Sequence, residues 1–219
     1  GLVSSNNRFS NRLIYNKLSD TFRATYLFQQ NDSKSQLLSG FEQREKQEHR
    51  ISTDIYFKNK LTFQLEGGWL NNSFFSENFS QKTFDFDQIT INPKLTWVLD
   101  QQLRLGAQYR MRSSDNIEEL GGQSANTNSM IFDMNWNKRN QFALQARFNY
   151  DDVNYVGQQN EAVAFSMLNG LQNGKNLLWN ITFERNILES LRVNLTYDGR
   201  KLGDVDPVHT GRARITAVF

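Results

Sequence analysis

The feature that most constrains this chain is a period-two alternation of apolar and polar residues, repeated from one end to the other. Leu191, Val193, Leu195 and Tyr197 fall on one face of a strand, and Arg192, Asn194, Thr196 and Asp198 on the other. The pattern recurs at Phe22, Ala24, Tyr26 and Phe28, at Leu103, Leu105, Ala107 and Tyr109, and at Phe142, Leu144, Ala146, Phe148 and Tyr150. It returns at Phe132, Met134 and Trp136, at Leu177, Trp179, Ile181 and Phe183, and at Gly211, Ala213, Ile215 and Ala217. The segments run ~9–12 residues, whereas globular strands peak at ~5–6. That length matches a strand crossing a hydrocarbon layer.

The 219 residues predict one domain, 1–219, because no Pro- or Gly-rich linker divides them. Mean hydropathy is −0.65 and no run of ~18 apolar residues occurs, so no transmembrane helix is expected. A β-barrel remains open, since its signal is alternation and not mean hydropathy. Cysteine is absent, which removes disulfides and cysteine metal sites. A net charge of +2 does not point to nucleic acid.

About eleven strands are expected. Short connections (16–20, 58–60, 99–102, 137–141 and 186–190) alternate with longer polar stretches (30–47, 71–82, 113–128, 151–176 and 199–208). Short turns on one side and long loops on the other are the layout of an outer-membrane barrel. Residues 161–172 read as a loop with a helical turn. Phe84 and Phe86 are out of phase with Ile89, Ile91, Leu95 and Trp97, which predicts a β-bulge near Asp87 and Gln88. Pro93 predicts a missing ladder bond. With eleven strands the first descends from the outer side. Single-chain bacterial barrels usually have an even count and begin in the periplasm. The expectation is therefore the C-terminal part of a larger barrel.

Which face meets water is the central question. A soluble meander barrel or sandwich would turn the apolar face inward. Three features favour lipid: the strand lengths, a terminal strand ending on Phe219, and aromatics gathered near strand ends. Trp69, Trp97, Trp136, Phe142, Tyr150 and Tyr197 belong to two such rows, as in the girdles of membrane barrels. The reading is an all-β, antiparallel transmembrane β-barrel. Its polar face carries Arg104, Arg110, Arg112, Arg147, Arg192, Arg212 and Arg214, opposed by Asp54, Glu66, Asp133, Glu184 and Asp198. Either this basic face favours anions, or the carboxylates neutralise it and nothing passes.

Catalytic signals are weak. His49 and His209 lie far apart, and no Ser/His/Asp constellation can be assembled. DFDQ (85–88), DD (151–152) and DVD (204–206) lack the regular ligand spacing of a Ca²⁺ loop. GWLNN (68–72) and LGGQ (120–123) read as turn glycines. The chain is expected to be non-enzymatic, with no cofactor and no metal.

The last fifty residues resemble the C-terminal end of large outer-membrane β-barrel proteins of the Bacteroidota. The likeness lies in the turn Leu171 to Asn176, the strand end Tyr197 to Arg200, and the final strand His209 to Phe219. It implies an integral outer-membrane protein of a Gram-negative envelope. The terminal Phe219 is similar to the signal read by the barrel-assembly machinery, although Arg214 replaces the usual glycine. Implied partners are the lipid bilayer with lipopolysaccharide, that machinery, and further outer-membrane subunits and lipoproteins. The expected function is a subunit of an envelope transport, secretion or assembly complex. The alternatives are the barrel of a TonB-dependent-like nutrient receptor and a soluble β-sheet binding module.

Overall fold

The computed structural model describes residues 4–16, 21–38, 40–58, 60–139, 141–188 and 191–217. Eleven strands form one antiparallel sheet in sequence order: β1 (Ser4–Asn16), β2 (Phe22–Leu37), β3 (Gly40–Phe57), β4 (Leu61–Ser76), β5 (Phe84–Val98), β6 (Leu103–Asn116), β7 (Ser124–Lys138), β8 (Phe142–Val156), β9 (Gly174–Leu188), β10 (Leu191–Leu202) and β11 (Val208–Ala217). One helix, α1 (Ala162–Leu168), lies in the β8–β9 connection. Among the described residues β1 and β11 do not pair, so the sheet is not closed. Phe219 lies outside the described residues.

Alternation puts one apolar and one polar set on opposite faces of every strand, and the register carries this across the sheet. Ile51, Leu65, Ile91, Leu95, Met130, Phe132, Phe148, Ile181, Leu195 and Ile215 are large, apolar and exposed, and all fall on the outer face. This is a continuous belt, far larger than the apolar patches a water-facing surface tolerates. On β7 it runs from Met130 to Trp136 and on β5 from Ile89 to Trp97. That is roughly 20 to 26 Å of strand at ~3.3 Å per residue, against an apolar band of ~25 Å in membrane barrels. Beyond it the outer face turns polar at Asn71, Asp87, Asn128 and Asp152.

Rings bound the belt on both sides. By the short turns, Trp136 meets Phe142 edge-on at 4.9 Å, and Phe142 stacks on Phe183 at 6.0 Å. On the far side Phe9, Phe28, His49 and Trp69 follow one another across β1 to β4, at 5.9, 4.8 and 5.4 Å. Trp179 lies over Gly199, its partner across β9 and β10; a Cβ there would stand 2.1 Å from the indole. Glycine is what lets the indole lie flat against the strand.

Two expectations are corrected. No bulge occurs at Asp87–Gln88, because β5 pairs with β4 in one uninterrupted register from Phe84 to Trp97. Phe84 and Phe86 share the inner face with Gln88 and Thr90, and they are apolar because α1 covers them there. Most of the polar stretches are not long loops. β2 and β3 pair as far as Leu37 and Gly40, so 30–47 is hairpin, and GWLNN lies within β4. These strands outrun the belt, and their tips alternate poorly because both faces there meet water. The β5–β6 ladder does skip Pro93, as a residue without an N–H requires.

The buried core is small and lies inside the sheet. Val163, Ala164, Met167 and Leu168 of α1 pack on Phe84, Phe86, Ala125, Val153 and Tyr155. The turn that returns the chain to β9 is held by Asn176, which is fully buried. Its amide donates to the carbonyls of Gln172 (2.8 Å) and Gly174 (3.0 Å), and its Oδ1 accepts from the Gln172 N–H (3.1 Å).

Candidate functional site

The inner face concentrates the charge. Arg104, Arg110, Arg112, Arg147, Arg192, Arg212 and Arg214 all register with inner-face residues. Their surroundings divide them. Arg212 donates to Asp198 at 2.9 Å, and Asp198 also accepts from Asn180 at 2.6 Å. Arg192 lies 3.5 Å from Glu184 and donates to Asn186 at 3.2 Å. Lys94 and Asp133 stand 3.9 Å apart, and Asp133 has room because its cross-strand neighbour is Gly106. Arg147 donates to Asn149 at 3.4 Å. Arg214 lines a wide hollow beside Arg192 and Arg212, and Arg104 is exposed near the short-turn end.

Arg110 and Arg112 differ from these. They line a polar cavity of about 390 Å³ between the inner faces of β3 to β6 and the underside of α1. Lys46, Glu48 and Arg50 of β3 and Glu66 of β4 face them, Gln88, Thr90 and Asn92 of β5 form the floor, and Ser166 and Asn169 close the top. Glu48 and Glu66 are both engaged by Arg50, directly and at 4.0 Å respectively. The floor is held by Gln108 donating to Asn92 (2.6 Å) and Ser114 donating to Gln88 (3.2 Å). Next to the cavity, Tyr155 reaches into the apolar cluster. Burial first, and then Glu161, push its phenol pKa up.

Sequence reasoning placed Arg110 and Arg112 on this face but missed Lys46, Arg50, Ser166 and Asn169. Lys46 fell in a stretch read as loop. The helix residues come from a connection no strand pattern positions. The histidines lie far apart, as their sequence positions imply. Both lie within strands on the outer face, where His49 shares a hydrogen bond with Tyr26 (2.8 Å) and His209 with Tyr197 (2.9 Å). Among the described residues no cluster of His, Cys, Asp or Glu could hold a metal. Of the girdle residues, Trp97, Trp136 and Phe142 stand by the short turns, and Trp69, Tyr150 and Tyr197 toward the far side.

A long-stranded antiparallel sheet, apolar and exposed outside, polar and charged inside, defines the transmembrane β-barrel class of fold. No protein-family model and no curated protein matches the chain. Among solved structures it is similar to OmpT, an outer-membrane protein of Vibrio cholerae, at 8% identity and a TM-score of 0.48, over 99% of this chain and 92% of that one. It is also similar to CdiB from Acinetobacter baumannii, at 11% identity and a TM-score of 0.41, over 91% of this chain and 39% of that one. The expectation of a non-enzymatic chain is corrected here. It rested on failing to find a constellation, and a likeness of 8% to an outer-membrane protein does not establish a lack of activity.

Proposed function

We propose that this chain is a membrane-spanning wall of a bacterial outer-membrane β-barrel that serves envelope transport, secretion or assembly. The observation that carries the reading is the exposed apolar belt bounded by rows of rings, with the charge at belt height on the opposite face. In water such a belt would drive aggregation. In lipid it is the favourable surface.

The open edges supply a second argument. Every residue along β1 and β11 is exposed, and each edge leaves a row of backbone groups unpaired. In hydrocarbon each unsatisfied group costs several kcal/mol, so open edges are not tolerated there. We therefore read the sheet as a sector completed by further strands, the C-terminal part of a larger barrel. The tail from Leu171 to Phe219 supports an origin in a Bacteroidota-type envelope. Lipopolysaccharide, the barrel-assembly machinery and neighbouring subunits or lipoproteins are its proposed partners.

Fractionation of cells making the full protein tests this. The expected result is recovery in the outer-membrane pellet and release only by detergent. Recovery in the soluble fraction without detergent would mean the belt is covered by protein, and would sink the membrane reading.

A further inference from the structure

We propose that the cavity beneath α1 is an oxyanion-binding site, with Arg110 and Arg112 as its principal ligands and Lys46 as a third cation. The proposal rests on reading the inner face as a lumen. The cavity is lined by four cations, Lys46, Arg50, Arg110 and Arg112, and by two carboxylates, Glu48 and Glu66. Both carboxylates are taken up by Arg50. Among the described residues no carboxylate lies within ion-pair distance of the other three cations. Asp151 acts on Arg112 only from further away.

A second observation points to a ligand. The Nη1 of Arg112 is buried and has no hydrogen-bond partner. A guanidinium carries five N–H donors and no acceptor, so it can be satisfied only by acceptor atoms. Burying an unpaired charge is costly, and structures rarely keep one without a compensating group. Arg110 and Arg112 sit two residues apart on one strand face and present their donors to the same space. Such forks match the paired oxygens of a phosphoryl, sulfate or carboxylate group, and charge assistance makes those bonds strong.

The surrounding groups suit a solute and not a structural counter-ion. Gln88, Thr90, Asn92, Ser166 and Asn169 supply neutral polar atoms around the cations. α1 roofs the cavity through an apolar cluster that shares only Phe86 with its lining, so the roof is fixed without using the polar lining. Of the other five arginines named on this face, Arg212 is held by Asp198, Arg192 by Glu184 and Arg147 by Asn149, while Arg104 and Arg214 are exposed, where salt screens them. Selectivity would therefore reside at this point of the wall and not along the whole basic face.

Calorimetric titration of the detergent-purified full protein with inorganic phosphate at low ionic strength, with sulfate as competitor, tests the site. The expected result is saturable binding displaced by sulfate. Arg110→Gln and Arg112→Gln should each weaken it at least tenfold, while Arg147→Gln leaves it unchanged. Arg112→Lys, which keeps the charge but not the fork, should fall between. Ser166→Asp places a carboxylate across the cavity without touching the strand, and should abolish binding in a folded protein. No saturable binding to the unaltered protein would overturn the proposal, as would equal weakening by Arg147→Gln. Fractionation reports location and titration reports the site, so the two readings fail separately.

Discussion

Truncating Met167 tests how α1 is held against the inner wall. Met167 is fully buried, on the side of α1 that meets Phe84, Phe86 and Tyr155. Met167→Ala removes most of that side chain from a packed cluster, which costs about 2–5 kcal/mol when the site cannot collapse. The cost falls on the helix connection and not on the strands, whose ladders do not pass through Met167. Phe165, two residues earlier and about half a turn round the helix, is 74% exposed and offers chymotrypsin a side chain. Cleavage still requires the helix to unwind, so its rate follows the open population when opening and closing are fast. At ~1.4 kcal/mol per tenfold, Met167→Ala should speed cleavage after Phe165 by roughly thirtyfold to several thousandfold. Circular dichroism of the strands should be the same in Met167→Ala as in the unaltered protein. A change below about threefold would refute the claim that this cluster fixes the helix.

Leu195→Arg should lower stability by roughly 2–4 kcal/mol in denaturant titrations in lipid, while Asn194→Arg is tolerated on the polar face; equal effects would contradict the face assignment. Gly199→Val should expel Trp179 from its seat, shifting indole emission; an unchanged spectrum would mean the ring does not lie on Gly199. Asn176→Ala strands three backbone groups in a buried turn, at ~1–3 kcal/mol for a group left unsatisfied, and faster amide exchange at Gln172 reads this out.

Strand positions were legible because period two is imposed by backbone geometry and is visible wherever the two faces meet different solvents. Phe132, Met134 and Trp136 could be assigned outward without a structure for that reason. The same logic failed at Phe84 and Phe86, where both faces are apolar for unrelated causes: lipid outside lower down, and α1 inside higher up. A one-residue phase change looks identical whether it comes from a bulge or from a change of surroundings. The cavity was only half legible. Arg110 and Arg112 announce themselves by alternation, but Lys46 and Ser166 are 120 positions apart in sequence and are joined only by the folded β8–β9 connection. The ion pairs were equally hidden, since Arg212 meets Asp198 through a register that sequence does not specify.

The unequal strand lengths have a consequence at the end of the sheet away from the short turns. Among the described residues β3 holds 18 and β11 holds 10. At ~3.4 Å per residue the difference is about 27 Å of strand, which makes one side of the mouth a parapet and the other a doorstep. The parapet bears Asp32, Lys34, Glu42, Arg44 and Glu45, charges of both signs close together. A large particle arriving at that end would touch the salted crest first, while a small solute would find its way in over the low side.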